Sequence, residues 1–93
     1  MQIEYTAHAK KRCQQRGIPL EVVNFITENG SYHRTHEHKK FYLPKKKMNQ
    51  LQHKNKSFFT KFDKYLSNTA VICNQKADIV VTAMRVTGPV RWN

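Results

Sequence analysis

His8, Arg12 and Arg16 recur every four residues in the segment YTAHAKKRCQQRGIP. On a helix of 3.6 residues per turn each step of four advances about 40°, so the three side chains fan along one side. Those residue types suit phosphate chemistry. An imidazole moves a proton near neutral pH, and each guanidinium forks donors onto phosphate oxygens. The surrounding chain is strongly basic, with 17 Lys and Arg against 6 Asp and Glu and a formal charge of +11. Such an excess speaks to partners and not to fold, and an acidic polymer or an acidic protein is the expected partner.

Two further clusters bear on chemistry. In His33-Arg-Thr-His36-Glu-His38, the pair His36 and His38 would point the same way on a strand, as paired metal ligands do. No third and fourth ligand follows at a suggestive spacing and there is no HExxH. Histidines that are exposed or touch RNA are therefore expected, with no metal and no cofactor. The second cluster is the basic stretch Lys45, Lys46, Lys47, Lys54, Lys56, Lys61 and Lys64, interleaved with Phe58 and Phe59. Its bland reading is a solvated loop with the rings in the core. The favoured reading is a grip on a phosphate backbone, foremost by Lys45, Lys46, Lys47, Lys54 and Lys56, which positions RNA without specifying sequence. The same cations suit a partner protein with acidic side chains.

These residues need a scaffold. Ninety-three residues make one domain, spanning 1–93, that buries about 60–65 % of its unfolded surface in one compact core. No apolar run approaches the length of a membrane span, and no helix carries a large apolar face, so a membrane partner is not expected. The segment MQIEYTAHAKK has no apolar stretch of the signal-peptide kind, and a cytoplasmic location is expected. Cys13 and Cys73, the only cysteines, cannot build a disulfide framework or a four-thiolate zinc site. Their apolar neighbours predict buried free thiols.

The first helix is predicted over Thr6–Arg16, with Thr6 as N-cap, Gly17 as terminator and Ala9 and Cys13 as a narrow apolar stripe beside the His/Arg stripe. A second is predicted over Pro19–Glu28, burying Val22, Val23 and Ile26 and ending at Asn29-Gly30. Tyr32–Glu37 and Lys39–Leu43 read as two short strands or one bent one, with Phe41 and Leu43 on the face opposite Lys40 and Tyr42. Lys45–Ser57 reads as a short surface helix or a loop. Phe58, Phe59, Phe62, Tyr65 and Leu66 then show helical spacing and are read as a helix, although Thr60 and the aromatics would also tolerate a strand. Thr69–Asn74 and Asp78–Thr87 are the strongest strand signals, joined closely enough for a hairpin. Gly88-Pro89 closes the last strand, and Trp92 is expected to pack back on the body. Helices followed by strands predict an α+β fold, with N-terminal helices on a mainly antiparallel sheet of about four strands.

H-A-x-x-R-x-x-x-R-G-I, then Y-H-R…K-K-F-Y-L, and finally V-I-C…D-I-V-V-T-A-M-R resemble a small uncharacterised bacterial domain family. That family is grouped with the barnase–EndoU–colicin–RelE (BECR) superfamily, which consists largely of metal-independent ribonucleases, many of them toxins with acidic antitoxin partners. The resemblance covers most of the chain and implies a RelE-like fold of N-terminal helices and a four-stranded antiparallel sheet. It maps the family's helix-1 histidine to His8, its arginines to Arg12 and Arg16, and its last-strand threonine and basic residue to Thr82 and Arg85. Between Lys45 and Tyr65 the chain is longer and more basic than the family, and no role is carried over there. In a regular strand Thr82 and Arg85 face opposite sides, so both reach one site only across a bulge. Arg85 is the preferred one of the two.

Metal-free RNA cleavage turns the ribose 2′-hydroxyl against the adjacent phosphate and leaves a 2′,3′-cyclic phosphate. It needs a base, an acid for the 5′-oxygen, and cations for the charge that develops on phosphorus. His8 is expected to transfer the proton, and Arg12, Arg16 and Arg85 to hold the phosphate. Tyr42 is the first choice for the second proton carrier, followed by His36 or His38. The expected function is an endoribonuclease-like domain, the toxin of a bacterial toxin–antitoxin pair, with RNA, an acidic antitoxin and the ribosome as partners. The competing readings are a non-catalytic nucleic-acid-binding module and a protein-interaction domain for an acidic partner.

Overall fold

In the computed structural model, which describes residues 3–86, the elements run β1 (Glu4–Tyr5), α1 (Ala7–Gln15), α2 (Leu20–Asn29), β2 (Ser31–Arg34), β3 (His38–Tyr42), α3 (Lys45–Gln52), α4 (Lys56–Leu66), β4 (Thr69–Asn74) and β5 (Ile79–Arg85). The strands form one five-stranded sheet in the order β1-β5-β4-β3-β2. All neighbours are antiparallel except β1 and β5, which run parallel. The class is α+β, as the order of helix and strand signals predicts. It carries a fifth strand, because the two residues Glu4 and Tyr5 pair with Ile79 and Val80. Gly88-Pro89 and Trp92, expected to close the last strand and to pack on the body, lie outside the described residues.

α1 is set by its two ends. The Thr6 hydroxyl accepts the Ala9 N–H at 2.9 Å, the capping bond that starts the helix. At the other end the Ile18 N–H reaches the Cys13 carbonyl and the Gly17 N–H reaches that of Gln14. This paired pattern needs a left-handed residue after the cap, and Gly17 supplies it at φ 64°. α1 packs chiefly on β5, and α2 on β3 and β4. α4 leans on α2 through Phe58 stacked on Phe25, with ring centroids 4.4 Å apart.

One continuous core joins these elements. Ala9, Cys13, Val22, Val23, Ile26, Phe59, Phe62 and Leu66 from the helices meet Phe41, Val71, Cys73, Val80 and Ala83 from the sheet. Phe41, Val71 and Ala83 lie side by side in the register, so the helix layer covers that face. Tyr42, Lys40, Ile72, Thr82 and Met84 alternate with them and point to the other face. The stretch after Pro44 is helical because Met48 and Leu51, three apart, pack against the core and leave Lys45 and Lys46 outside.

Candidate nucleic-acid site

The α1 stripe forms as its spacing predicts, with one change at its end. His8 is exposed and Arg12 half-buried on the helix, while Arg16 is the C-cap residue just after it. Arg12 Nε donates to His8 Nε2 at 3.3 Å. In that contact the imidazole accepts on Nε2. Arg16 is engaged with the fold: its Nη1 donates to the Ala83 carbonyl at 2.6 Å. Ala83 lies on the part of β5 beyond the two residues that β1 pairs.

Arg85 lies on the helix face of the sheet, two residues beyond Ala83, where its guanidinium sits 5.6 Å from the centre of the Tyr65 ring. Tyr42 belongs to the opposite face. The sheet thus separates Tyr42 from Arg85, against the expectation that the two serve one phosphate. Tyr65 is the phenol beside Arg85. The sequence shows it only as part of an aromatic helical pattern, and nothing in that pattern tells which ring stands at the rim.

Thr82 and Arg85 are also separated. A register shift does occur in β5, between the partners of Ile72 and Cys73, but it falls before Thr82. From Thr82 to Arg85 the pairing is regular, so the two point to opposite faces. Thr82 shares its face with Tyr42, Lys40 and His33, since His33 pairs with Lys40, Lys40 with Ile72, and Ile72 with Thr82.

The histidine cluster is split by a turn. His36 lies between β2 and β3 while His38 opens β3, so the two do not share a strand face as paired ligands would. The Thr35 hydroxyl accepts the His38 N–H at 3.1 Å, and Gln75 donates to the Thr35 and His36 carbonyls, tying the turn to the β4–β5 turn. Among the described residues no three His, Cys, Asp or Glu side chains gather as a metal site would require.

The lysines divide by role. Lys45 and Lys46 are exposed in the first turn of α3, and Lys54 and Lys56 flank Asn55 at the junction with α4. Lys47 is half-buried and its Nζ donates to the Gly30 carbonyl at 3.3 Å. Lys61 and Lys64 lie over the rings of Phe62 and Tyr65.

A groove runs between α3 and α4. One cavity of about 650 Å³ is lined by Leu43, Lys45, Met48, Gln52, Phe59 and Asp63 among others. A second of about 650 Å³ shares Gln52, Phe59 and Asp63 and continues to His53 and Lys56.

The buried titratable groups belong to the frame. Tyr5 donates to Asn24 Oδ1 at 2.5 Å, and burial pushes its phenol up to about 12. Burial likewise pushes the Cys73 thiol up to about 12, with Asp78 adding to the effect. Burial raises Cys13, with Arg16 opposing. Both cysteines are free and buried, as their apolar neighbours predict, and thiols held protonated are poor nucleophiles. Among the described residues no helix is long and apolar enough to cross a membrane. Comparison with protein-family models, curated proteins and solved structures finds no match.

Proposed function

We propose that this domain is a metal-independent endoribonuclease, with His8 as the proton-transfer residue and Arg12, Arg16 and Arg85 as phosphate ligands. The observation that carries the reading is the Arg12–His8 hydrogen bond on a stripe shared with Arg16. At 3.3 Å, and exposed to water, that bond is easily exchanged. A phosphate drawing Arg12 onto its oxygens frees the Nε2 lone pair of His8 at the same moment. The freed nitrogen takes the 2′-hydroxyl proton, the 2′-oxygen attacks phosphorus, and the bond to the 5′-oxygen breaks. Arginines meet the charge that grows on the phosphoryl oxygens. The 5′-oxygen takes up a proton as it leaves, and Tyr65, which shares the sheet face of Arg85, is a candidate source in place of Tyr42 on the other face.

Two free buried cysteines suit a reducing cytoplasm. The resemblance of the α1 motif to the toxin-rich BECR superfamily extends the reading to a toxin of a toxin–antitoxin pair. An acidic antitoxin would then cover the lysines and arginines, and ribosome-bound RNA would be a candidate substrate.

A second reading has its own support. The sheet divides Tyr42 and Thr82 from Arg85, and Arg16 is bonded into the fold. Both observations favour a module that binds RNA, or an acidic protein, through the same cations without turnover. One experiment separates the readings: labelled single-stranded RNA with EDTA, the wild-type chain and His8→Ala. Cleavage that persists in EDTA, leaves 2′,3′-cyclic phosphate ends and is lost in the variant supports the enzyme. Binding by both proteins without cleavage, on free RNA and on ribosomes, overturns it in favour of the module.

A further inference from the structure

The groove between α3 and α4 is absorbed by none of this chemistry. Its floor is apolar, from Leu43, Met48 and Phe59. Its middle is polar, with Asp63 and Gln52 lining both cavities and Asn49 and Asn68 lining the first. Its two ends are cationic and coincide with helix starts. Lys45 opens α3 at one end, and Lys56 opens α4 at the other, beside His53. A helix N-terminus adds partial positive charge and free backbone N–H groups to a lysine already there. The eight residues of α3 rise about 12 Å between the two ends, and two lysine side chains are long enough to close that span onto the phosphates on either side of one nucleotide.

The middle of the groove reads differently. Asp63 is exposed, and a carboxylate only accepts hydrogen bonds. It is one of six acidic residues in a chain of formal charge +11, and it stands between the two cationic ends. A carboxylate between two phosphate-binding ends is out of place for a backbone alone, and it fits a base edge rich in donors. Guanine is the base that offers two adjacent donors, its ring N–H and its exocyclic amine, to the two oxygens of one carboxylate. Gln52 and Asn49 can meet its remaining acceptors.

We propose that the α3–α4 groove holds a guanine nucleotide within a single-stranded RNA, with the base against Asp63 and the flanking phosphates at Lys45 and Lys56. The proposal rests on the reading of the partner as RNA and names the base preference that reading lacks. Cations at both ends match an internal residue of a strand, which carries phosphate on both sides, better than a free mononucleotide.

The test is fluorescence anisotropy with labelled 2′-O-methyl pentamers, which lack the attacking hydroxyl and stay intact. UUGUU is compared with UUAUU, UUCUU and UUUUU. The expected result is a preference for UUGUU of about tenfold or more, the discrimination a good bidentate base contact gives. Asp63→Asn should abolish the preference. Lys45→Ala and Lys56→Ala should weaken all four pentamers alike. Equal binding of all four by the wild-type chain overturns the groove assignment and leaves the RNA reading standing. Absence of any binding at low salt overturns both. Free guanosine monophosphate competing as well as UUGUU overturns the strand assignment.

Discussion

Arg16→Gln tests whether the α1 stripe is held in place by the sheet. The guanidinium donates to the Ala83 carbonyl at 2.6 Å, on the stretch of β5 that β1 leaves uncovered. A hydrogen bond from a charged group contributes about 1.5–3 kcal/mol where water is excluded. Arg16 is exposed, so solvent replaces part of it and the loss should be about 1 kcal/mol. For a domain of this size that corresponds to a Tm lowered by about 4–8 °C, read by far-ultraviolet circular dichroism. His8→Gln and Arg12→Gln remove only an exposed contact at 3.3 Å and should stay within about 0.5 kcal/mol of wild type. RNA binding supplies the second readout. Each lost phosphate contact should reduce the slope of log K against log salt by about 0.7 for a single strand. Arg12→Gln should therefore change the slope with at most half the Tm change of Arg16→Gln, which should change both. An unchanged Tm in Arg16→Gln would refute the structural half of the reasoning.

Other substitutions probe the frame. Gly30→Ala should cost about 1–3 kcal/mol in urea unfolding, because a Cβ there would meet the Tyr42 carbonyl and come within 2.6 Å of the Ile26 carbonyl. Gly17→Ala meets no atom within 4 Å and should cost only the left-handed backbone penalty, about 1 kcal/mol. The thiol of Cys73 and the phenol of Tyr5 have folded pKa values raised from 9.0 and 10.0 to about 12. The folded state then holds protons that the unfolded state releases, so stability should be full below pH 9 and fall as the pH rises toward 12. Tyr5→Phe should flatten that fall, and a stability independent of pH in this range would contradict the burial of both groups. Lys47→Met should lower stability without changing the salt slope, and Lys46→Met should do the reverse.

Local signals placed the elements, and tertiary contacts decided what they bring together. Thr6 and Gly17 bound α1 within a residue of its predicted ends, because capping chemistry is written in neighbouring side chains. Thr69–Asn74 appears as predicted, an apolar run buried on both faces in the interior of the sheet. β1 was not legible. Two residues carry no periodicity, and the partners of Glu4 and Tyr5 lie at Ile79 and Val80, far along the chain. The place of the register shift in β5 was equally hidden, so the faces of Thr82 and Arg85 had to be read from the structure. Phe58, Phe59, Phe62 and Tyr65 announced a helix correctly, but their spacing does not distinguish the ring under Arg85 from those in the core.

The cations sort by whether the fold uses them. Arg16 bonds a strand carbonyl, Lys47 bonds the Gly30 carbonyl, and Arg85 and Lys64 rest on Tyr65. Each has a reason to be basic or long within the fold itself. Among the described residues Lys45, Lys46 and Lys56 make no such contact, and they sit where folding alone disfavours them. They occupy the first turns of α3 and α4, neither of which contains an acidic residue there. Positive charge at a helix N-terminus opposes the macrodipole, at a cost of about 0.3–1 kcal/mol per residue at low ionic strength. An anion bound across those turns reverses the sign of that contribution, since lysine and helix then attract the same ligand. The arrangement that weakens the isolated helices is thus the one that strengthens the complex. It follows that a polyanion should raise the Tm of the wild-type chain more than that of a Lys45→Glu, Lys56→Glu variant, and that added salt should erase the difference.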